Sequence, residues 1–505
     1  MAELTQPHLS VLIAIITALV VTLGVLVPPA RRASRVPLVL LAVLATLAWP
    51  NWARIQSRNG IVHGHEQVHF LLGSRYLPEL GYHGLYPAIV AARLNKDRNL
   101  PRAEIRDTRT FQLHKVSDRL EEAEAAKARF SAERWEAFSA DLEVYRRELR
   151  APLERIISDH GMTGSPSWAL FALLFTAWPT VSTQSANLLG LIDPALFLIL
   201  LVSVARAFGA RAVAVTAVLA FTPGRVFDFL GGSILRMDWL FFLGMALCAL
   251  QVRRFRAGGL LLGLAIASKV FCALIPLMLG AHMLRRWVSE RAIPLEHRQV
   301  IGFAFLGLLG AVAASSLAFG GPGIWVEYIE RILLTLHEGY YRAQYGFRDV
   351  YIQVAVNGPA ALFDPFPGRI HARHADLASF GTGLNLARLA LLALLAWVSS
   401  RQAPLLAAGL GVLGIYLGLV TNMYYWSLFL VLGLGLASSE QRRHGLALGL
   451  LCGLVALLRG LEVTDWESLH ARSYLGSWLL LWSVILLAGV ELGLSLLAWR
   501  RARAI

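Results

Sequence analysis

The sequence predicts an all-α polytopic membrane protein with about 12 transmembrane helices and a long first external loop that carries amphipathic helices. The chain has 505 residues, of which 56% are hydrophobic, and its mean hydropathy is +0.56. A soluble protein of this length rarely reaches such values. Many apolar runs approach the roughly 20 residues that a helix needs to cross a bilayer. We therefore expect one integral membrane domain over residues 1–505.

The net charge of +14 has a membrane explanation rather than a nucleic-acid one. Arginine pairs such as Arg253-Arg254 and Arg285-Arg286 fall in turns between apolar runs, and cytoplasmic turns are enriched in such residues. The turns place the C-terminus in the cytoplasm, and no nucleic acid is expected as a partner. The three cysteines all lie in apolar segments and form no C-x-x-C pair, so a thiolate zinc site is not indicated.

The first two helices are predicted at 9–28 and 37–53, with a basic turn between them. That turn is cytoplasmic by the same rule, so the second helix returns to the outside. The run 9–28 is kept as a helix because no basic segment precedes it and no clear cleavage site follows. Residues 54–165 then form a long polar loop on the external, periplasmic side.

One stretch of this loop has the period of an amphipathic helix. Its large apolar residues recur at spacings of three and four, the repeat of a helix with one buried face. They are Trp135, Phe138, Leu142, Tyr145, Leu149, Leu153 and Ile156. The helix is expected to pack on the rest of the loop or at the lipid headgroups.

Two later segments are predicted to be irregular. Residues 166–183 are apolar but break the alternation of sides if they span, which favours a re-entrant or interfacial helix. Residues 257–284 carry Ser268-Lys269 in the middle of an apolar run, which favours two short helices that meet near the outer face. A second external loop is expected at 319–384.

The stretch HEQVH at residues 65–69 matches H-E-x-x-H, the pattern of zinc metalloproteases. On a helix, His65 and His69 lie one turn apart and can both bind Zn²⁺ while the glutamate activates a water. A third ligand is needed. Glu79 is a candidate, but Pro78 favours a helix break before it. A zinc protease is kept as an alternative and a divalent metal as a cofactor that the motif allows, with no metal ligand assigned.

A second interpretation of the same stretch centres on Glu66. It lies in the first external loop, where a carboxylate can take a proton from an acceptor hydroxyl. His65 or His69 would then tune its protonation. The simpler alternative is a solvated loop residue or a partner for Arg75.

Two further charged residues lie at or within apolar runs. Asp238 ends the triplet Arg236-Met237-Asp238 and begins the next apolar segment. A carboxylate there is costly unless it is paired or functional, although aspartate is also a favoured helix N-cap. Lys269 lies inside an apolar run and must either snorkel to the interface or meet an anion such as a lipid phosphate.

The external stretch 337–353 reads HEGYYRAQYGFRDVYIQ and mixes aromatic residues with arginines. Aromatic faces, such as that of Tyr340, can stack on sugars or guide a lipid tail. An arginine such as Arg348 binds phosphate through two parallel hydrogen bonds. An aromatic belt at the membrane interface would have a similar composition.

Together these features resemble the GT-C class of integral membrane glycosyltransferases, which use sugars linked to polyprenyl phosphate. The likeness rests on Glu66 in the first external loop, followed by GYHGLY at 81–86, and on Arg236-Met237-Asp238. It also rests on AGGLLLGLAIASK at 257–269, which is similar to mannosyltransferase-like members. In organisation it spans residues 37–430. The family's first-loop acid is usually Asp, whereas this chain has Glu.

The resemblance implies a mechanism and a set of site residues. A sugar on a polyprenyl phosphate would be the donor, Glu66 the general base, and the transfer to an acceptor hydroxyl would invert the anomeric carbon. Asp238 would orient the acceptor or a metal. The substrate-binding residues would be His65, His69, Glu79, Tyr82, Arg236, Lys269, Tyr340 and Arg348.

The predicted function is therefore transfer of a hexose or pentose to a lipid, glycan or protein acceptor. The resemblance places the enzyme among the lipids of a bacterial inner membrane, with its active site on the periplasmic side. Non-enzymatic transport of a lipid or solute is the other alternative. It would require charged residues along a midplane pathway, yet strong acids are scarce within the apolar runs.

Overall fold

The structure, a computed structural model, is mostly helical, as the sequence predicts. It describes residues 6–27, 34–48, 61–94, 100–177, 180–222, 231–337, 344–364, 377–419, 421–439, 441–463 and 469–503. Within these ranges, strands form two small antiparallel sheets, one that joins residues 104–106 to 113–115 and one that joins residues 344–345 to 421–422.

The first half of the chain contains the long polar segment that the sequence predicts to be an external loop. Its elements are α1 (Gln6–Leu26), α2 (Arg35–Ala48), α3 (Gly64–Gln67), a π-helix (Val68–Leu72), α4 (Gly73–Arg75), α5 (Leu77–Leu80), α6 (Leu85–Arg93), a 3₁₀ turn (Leu100–Arg102), β1 (Glu104–Arg106), β2 (Leu113–Lys115), a 3₁₀ turn (Val116–Arg119), α7 (Leu120–Lys127), α8 (Ala132–Arg147), α9 (Leu153–Ile157), α10 (Pro166–Thr176), α11 (Thr183–Gly190), α12 (Ile192–Phe208) and α13 (Ala210–Phe221).

The second half is dominated by apolar helices. Its elements are α14 (Asp238–Gln251), α15 (Phe255–Ser268), a 3₁₀ turn (Val270–Ala273), α16 (Leu274–Glu290), α17 (Leu295–Ala318), α18 (Gly323–His337), β3 (Gln344–Tyr345), α19 (Phe347–Asn357), a 3₁₀ turn (Pro359–Leu362), α20 (Leu377–Ser399), α21 (Pro404–Gly418), β4 (Thr421–Asn422), a 3₁₀ turn (Met423–Leu428), α22 (Phe429–Ala437), α23 (Arg442–Val463) and α24 (Leu469–Arg503).

Six stretches of helix within the described ranges are long and apolar enough to cross a membrane. They are His8–Leu26, Thr183–Phe208, Leu295–Ala318, Gly381–Ser399, Arg442–Leu461 and Tyr474–Leu497. Shorter apolar helices, among them α2, α10, α13, α14, α15 and α21, accompany them. These helices indicate a membrane-embedded protein, while the larger number of about 12 spans stays a prediction.

The two irregular segments take the local form that the sequence predicts. The apolar segment at 166–183 holds α10, whose 11 residues extend only about 16 Å, too short to cross a bilayer alone. The run at 257–284 holds α15 and α16, which are separated at Lys269, where the backbone is extended with φ −141° and ψ 109°. Their positions relative to the membrane faces stay predictions.

The periodic stretch of the external loop forms two helices rather than one. Phe138, Leu142 and Tyr145 are buried along one face of α8, as the period predicts. The helix then ends, because Arg150 adopts a φ of 51° and Pro152 introduces α9. A hydrophobic period that continues across a turn does not by itself predict a continuous helix.

The polar segment packs around a hydrophobic core that is separate from the core of the apolar helices. Phe70, Tyr76 and Phe138 are buried there together with other apolar residues of the loop. Trp168 of α10 and Leu235, just before α14, belong to the same core. The loop is therefore anchored on helices that follow it in the chain.

A close approach of two backbone segments, at Ile61 and at Gly232, positions the polar segment. Gly232 accepts hydrogen bonds through its carbonyl from the backbone N–H of His63 (3.0 Å) and from Nε2 of Gln67 (2.7 Å). Gly232 has φ +76°, and a Cβ atom there would lie 1.5 Å from the carbonyl oxygen of Ile61. Only glycine fits this approach, which brings residues 61–67 against the turn that precedes α14.

Candidate functional site

The HEQVH stretch lies where α3 meets the π-helix. His63 precedes α3, and its Nδ1 accepts a hydrogen bond from the backbone N–H of Glu66 (3.2 Å). Successive helical residues project about 100° apart, so Glu66 points away from the face shared by His65 and His69. Single-turn π segments recur at functional sites in proteins. Two groups of polar side chains consequently form around one short helix.

On one side, Glu66 pairs with Arg236. The distance from Oε2 of Glu66 to Nε of Arg236 is 3.3 Å, and the side chains are 17% and 8% exposed. The guanidinium of Arg236 also stacks 3.6 Å from the ring centre of Phe70. Arg75, the alternative partner for Glu66, instead pairs with Asp141 at 3.5 Å.

A residue that sequence reasoning missed holds Arg236 in place. Asp193, buried near the start of α12, accepts hydrogen bonds from the backbone N–H groups of Arg236 (2.9 Å) and Met237 (3.0 Å). Leu235, just before them, has a left-handed φ of 48°, a conformation that costs energy for a non-glycine residue. Asp193 could have been identified from the same signal as Asp238, an acid at the start of an apolar run.

Asp238 is the first residue of α14, and the N-cap position belongs to Met237. The hydroxyl of Ser268 donates a hydrogen bond to Oδ2 of Asp238 over 2.5 Å, so the carboxylate binds the end of α15. Its place in the first helical turn is also favourable for a negative charge. The N-cap role considered from the sequence is therefore replaced by a bridge between two helices.

Lys269 completes this group from the break between α15 and α16. Its Nζ donates to the carbonyl of Thr163 over 3.3 Å, and it interacts electrostatically with Arg236, Asp238 and Glu66. We call Glu66, Arg236, Asp238 and Lys269 the carboxylate–cation cluster. Its members come from three separate parts of the chain.

Three polar atoms of this cluster are buried without a hydrogen-bond partner among the described residues. One is Oε2 of Glu66, which faces Nε of Arg236 in the ion pair, and the other two are Nη1 of Arg236, a donor, and Oδ1 of Asp238, an acceptor. Buried polar groups are nearly always paired in folded proteins, so unpaired ones call for an explanation. A ligand that carries both an anionic oxygen and a hydroxyl group would pair with the atoms of Arg236 and Asp238.

Two aromatic residues lie next to members of the cluster in sequence, and a third packs against them in space. Trp239 follows Asp238, Phe271 follows Lys269 closely, and Tyr425 joins them from a distant turn. Their ring centres are 5.1 to 5.6 Å apart in each pair. Trp239 is buried, whereas Phe271 and Tyr425 are partly exposed and offer apolar surface on which a sugar or an isoprenoid chain can pack.

On the other side of the helix, His65 and His69 meet Asp159. Nε2 of His65 lies 2.9 Å from Oδ2 of Asp159. Nδ1 of His69 lies 3.0 Å from the carbonyl of His65, and its Nε2 lies 2.8 Å from the hydroxyl of Tyr86. One potential ligand atom from each of His65, His69 and Asp159 lies within 4.8 Å of the others. We call these three residues the histidine cluster.

The surroundings of the histidine cluster set its charge. Burial lowers the pKa of His69 to about 4, so this imidazole is neutral at pH 7. Burial also acts to raise the pKa of Asp159, but hydrogen bonds from His160 and His65 outweigh it and hold the pKa well below its usual range. The cluster thus contains a neutral imidazole and an anionic carboxylate.

Two other residues predicted to bind substrate have contacts within the loop. Glu79 accepts a hydrogen bond from Nε of Arg134 at 2.5 Å, so its carboxylate is engaged away from the histidines. Tyr82 is buried, and its hydroxyl donates to the carbonyl of Gly164 (2.7 Å). These contacts support structural roles for both residues.

The remaining predicted residues belong to residues 319–384, the segment that the sequence predicts to be a second external loop. Arg348 is buried in α19, where it interacts electrostatically with Asp349 and Arg388. The preceding strand β3 pairs with β4, and the ring of Tyr345 packs edge-to-face against Trp426 with ring centres 4.5 Å apart. The start of α19 is thereby tied to the turn that contributes Tyr425 to the aromatic group. Tyr340 lies outside the described residues.

No protein-family model, no curated protein and no solved structure matches this chain at a significant level.

Proposed function

We propose that the protein is a membrane glycosyltransferase of the GT-C kind. It would move a sugar from a polyprenyl-phosphate donor to an acceptor hydroxyl at the outer face of the membrane. The observation that carries the proposal is the meeting of Glu66, Arg236, Asp238 and Lys269 in one cluster. A base and two cations side by side match the needs of a reaction that removes a proton and releases a phosphate.

In the proposed reaction, the acceptor oxygen attacks the anomeric carbon and Glu66 takes the hydroxyl proton. The new glycosidic bond forms as the bond from the anomeric carbon to the phosphate oxygen breaks. The lipid phosphate leaves with the bonding electrons, and attack from the opposite face inverts the anomeric carbon. Arg236 and Lys269 would stabilise the negative charge that develops on the phosphate.

The unpaired atoms of the cluster support this division of roles. Nη1 of Arg236 is a buried donor without an acceptor, and a phosphate oxygen would supply one. Oδ1 of Asp238 is a buried hydrogen-bond acceptor without a donor, and a hydroxyl group of the sugar or of the acceptor substrate would supply one. The neighbouring aromatic rings provide apolar surface for the isoprenoid chain or the sugar ring.

The zinc protease hypothesis uses the same glutamate differently. In such an enzyme the glutamate of H-E-x-x-H activates the metal-bound water. Here the Glu66 carboxylate is paired with Arg236, on a different side of α3 from Asp159. The ion pair supports a role for Glu66 in the carboxylate–cation cluster and not in peptide hydrolysis.

The proposal is tested with Glu66→Gln in membranes supplied with radiolabelled hexosyl and pentosyl polyprenyl phosphates. Glu66→Gln keeps the size of the side chain but removes the base, so we expect transfer to fall by about 10²–10⁴-fold. Glu122→Gln, a partly exposed carboxylate of the same loop, is the matched control and should keep wild-type transfer. Full activity in Glu66→Gln would exclude this residue as the base.

A further inference from the structure

We propose that His65, His69 and Asp159 bind one first-row divalent metal ion of the zinc class. The site goes beyond the proposed sugar transfer and does not depend on it, since Glu66 and the cations of the carboxylate–cation cluster are not among its ligands. It is assembled from the two ends of the external loop, α3 and the segment after α9.

The ligand types and their number fit this ion. Imidazole nitrogen and carboxylate oxygen are its common protein ligands, and three of them leave one coordination position for water or another ligand. His65 and His69 are four residues apart and share one face of the helix. Asp159 supplies the third ligand, which the sequence motif alone lacks.

The spacing requires only a small adjustment. Two ligands on opposite sides of one zinc ion are separated by at most about 4.2 Å, twice the metal–nitrogen distance. The potential ligand atoms here lie within 4.8 Å of one another, so the widest pair must close by less than about 1.5 Å to reach a tetrahedral spacing. Nε2 of His65 and Oδ2 of Asp159 are already 2.9 Å apart, and an ion there takes the place of the proton they share.

The surrounding hydrogen bonds orient the ligands as metal sites require. Metal-binding histidines usually donate their second ring N–H to a carbonyl or carboxylate. Nδ1 of His69 lies 3.0 Å from the carbonyl of His65, so donation there leaves the lone pair on Nε2. That lone pair accepts from Tyr86 in this structure, and the ion replaces this one hydrogen bond. His160 contacts the other oxygen of Asp159 at 3.2 Å.

A metal at this place would clamp the helix that carries Glu66. It would tie α3 to the residue at position 159, while Gly232 ties the same helix to the turn before α14. Glu66 would be held between two attachments that come from different parts of the chain. The metal's role is thus to position this helix, and it is distinct from sugar transfer itself.

The test is metal binding by the untagged, full-length protein in detergent after treatment with a chelator. Co²⁺ is titrated while its visible d–d absorption is recorded, and bound Zn²⁺ is counted by elemental analysis. We expect one equivalent of either metal and an upward shift of the unfolding midpoint on metal addition. Wild-type protein that binds less than half an equivalent would overturn the proposal without any variant.

The variants assign the ligands. Asp159→Asn and His69→Gln should each weaken Co²⁺ binding by at least about 100-fold. Glu66→Gln, next to the site, and His83→Asn, a histidine of the same loop outside the cluster, should bind like wild type. Wild-type affinity in both ligand variants would overturn the proposal. If Asp159→Asn does not fold, Asp159→Glu keeps the carboxylate, and it should retain binding but change the Co²⁺ spectrum; an unchanged spectrum argues against ligation by this residue.

Because binding is measured without any sugar donor, this result is independent of the proposed transferase activity. Metal binding without transfer in the wild type would sustain the site and contradict the function. Transfer without metal binding would do the reverse.

Discussion

The histidine cluster and the carboxylate–cation cluster start from adjacent residues of one helix but differ in how they are built. The histidine cluster lies within the polar segment of the first half of the chain and joins residues 65, 69 and 159. The carboxylate–cation cluster joins Glu66 to a turn and to a helix break that belong to the apolar second half of the chain. Neighbouring residues of one short motif therefore belong to different clusters, because successive side chains of a helix project to different sides.

The largest expected effect comes from Gly232→Ala, which should break both clusters at once. The added Cβ would lie 1.5 Å from the carbonyl oxygen of Ile61, so the two main chains must separate. We expect a loss of more than about 3 kcal/mol in the free energy of unfolding, together with loss of Co²⁺ binding and sugar transfer. The unfolding midpoint in detergent gives the first measurement.

Gly209→Ala is the matched control for this prediction. Gly209 has a similar φ of +85°, but nothing lies within 4 Å of the added Cβ. This variant should cost only about 1–3 kcal/mol, the penalty of a backbone conformation (φ 85°, ψ 173°) that only glycine adopts readily, and should keep both activities. Equal losses in the two variants would mean that the close approach at Gly232 is not what holds the clusters together.

The second prediction separates the clusters with Asp193→Asn. The amide nitrogen can no longer accept a hydrogen bond, so one backbone N–H of Arg236 or Met237 loses its partner, at a cost of about 1–3 kcal/mol. Displacement of Arg236 should lower sugar transfer by about 10–100-fold. Co²⁺ binding should not change, because Asp193 does not contribute to the histidine cluster.

Asp118→Asn, at an exposed position of the external loop, controls for the loss of a charge and should leave transfer at the wild-type level. A parallel loss of Co²⁺ binding and of transfer in Asp193→Asn would show that the two clusters are one cooperative unit.

The third prediction concerns a histidine outside both clusters. Burial lowers the pKa of His83 to about 4, with nearby Arg109 and Arg331 acting in the same direction. The folded state therefore prefers neutral His83, and its stability contribution is complete above the ordinary pKa of about 6.5 and is lost as the pH falls toward 4. The unfolding midpoint should drop over this interval.

His83→Asn removes the titrating imidazole and should therefore reduce that drop. Asparagine can still bond to Thr108, the present partner of His83 Nδ1 at 2.9 Å. The variant should flatten only part of the curve, because His63 and His69 have lowered pKa values as well. An identical pH curve in wild type and variant would remove His83 from the account of acid stability.

The smallest expected effect is that of Glu79→Gln. Glu79 pairs with Arg134, a partly exposed arginine whose ion pairs contribute about 0–1 kcal/mol. Sugar transfer and Co²⁺ binding should both stay within about twofold of wild type, since the residue belongs to neither cluster. A loss of transfer comparable to that of Glu66→Gln would restore Glu79 to the substrate-binding residues.

Much of the architecture could be predicted because the hydropathy and the apolar spacing of a segment depend on neighbouring residues alone. Long apolar runs are helical wherever they occur in a membrane, so the all-α class and the break at Lys269 followed from residue order. The break between α8 and α9 did not, because the apolar period runs on through the turn at Arg150. The spacing of apolar residues predicts which residues are buried, whereas the geometry of the turn determines where a helix ends.

The sequence by itself determined the helical class, the polar composition of residues 54–165 and all four members of the carboxylate–cation cluster, since a charge beside an apolar run is conspicuous. Only the tertiary structure decided which of these charges meet and added Asp159 and Asp193. Asp159 is ordinary by local pattern, and Asp193 is marked only as an acid at the start of an apolar run. Both acquire a role because the fold brings them to His65 and to the backbone of Arg236. Contacts between residues far apart in sequence depend on packing of the whole chain, which no short motif encodes.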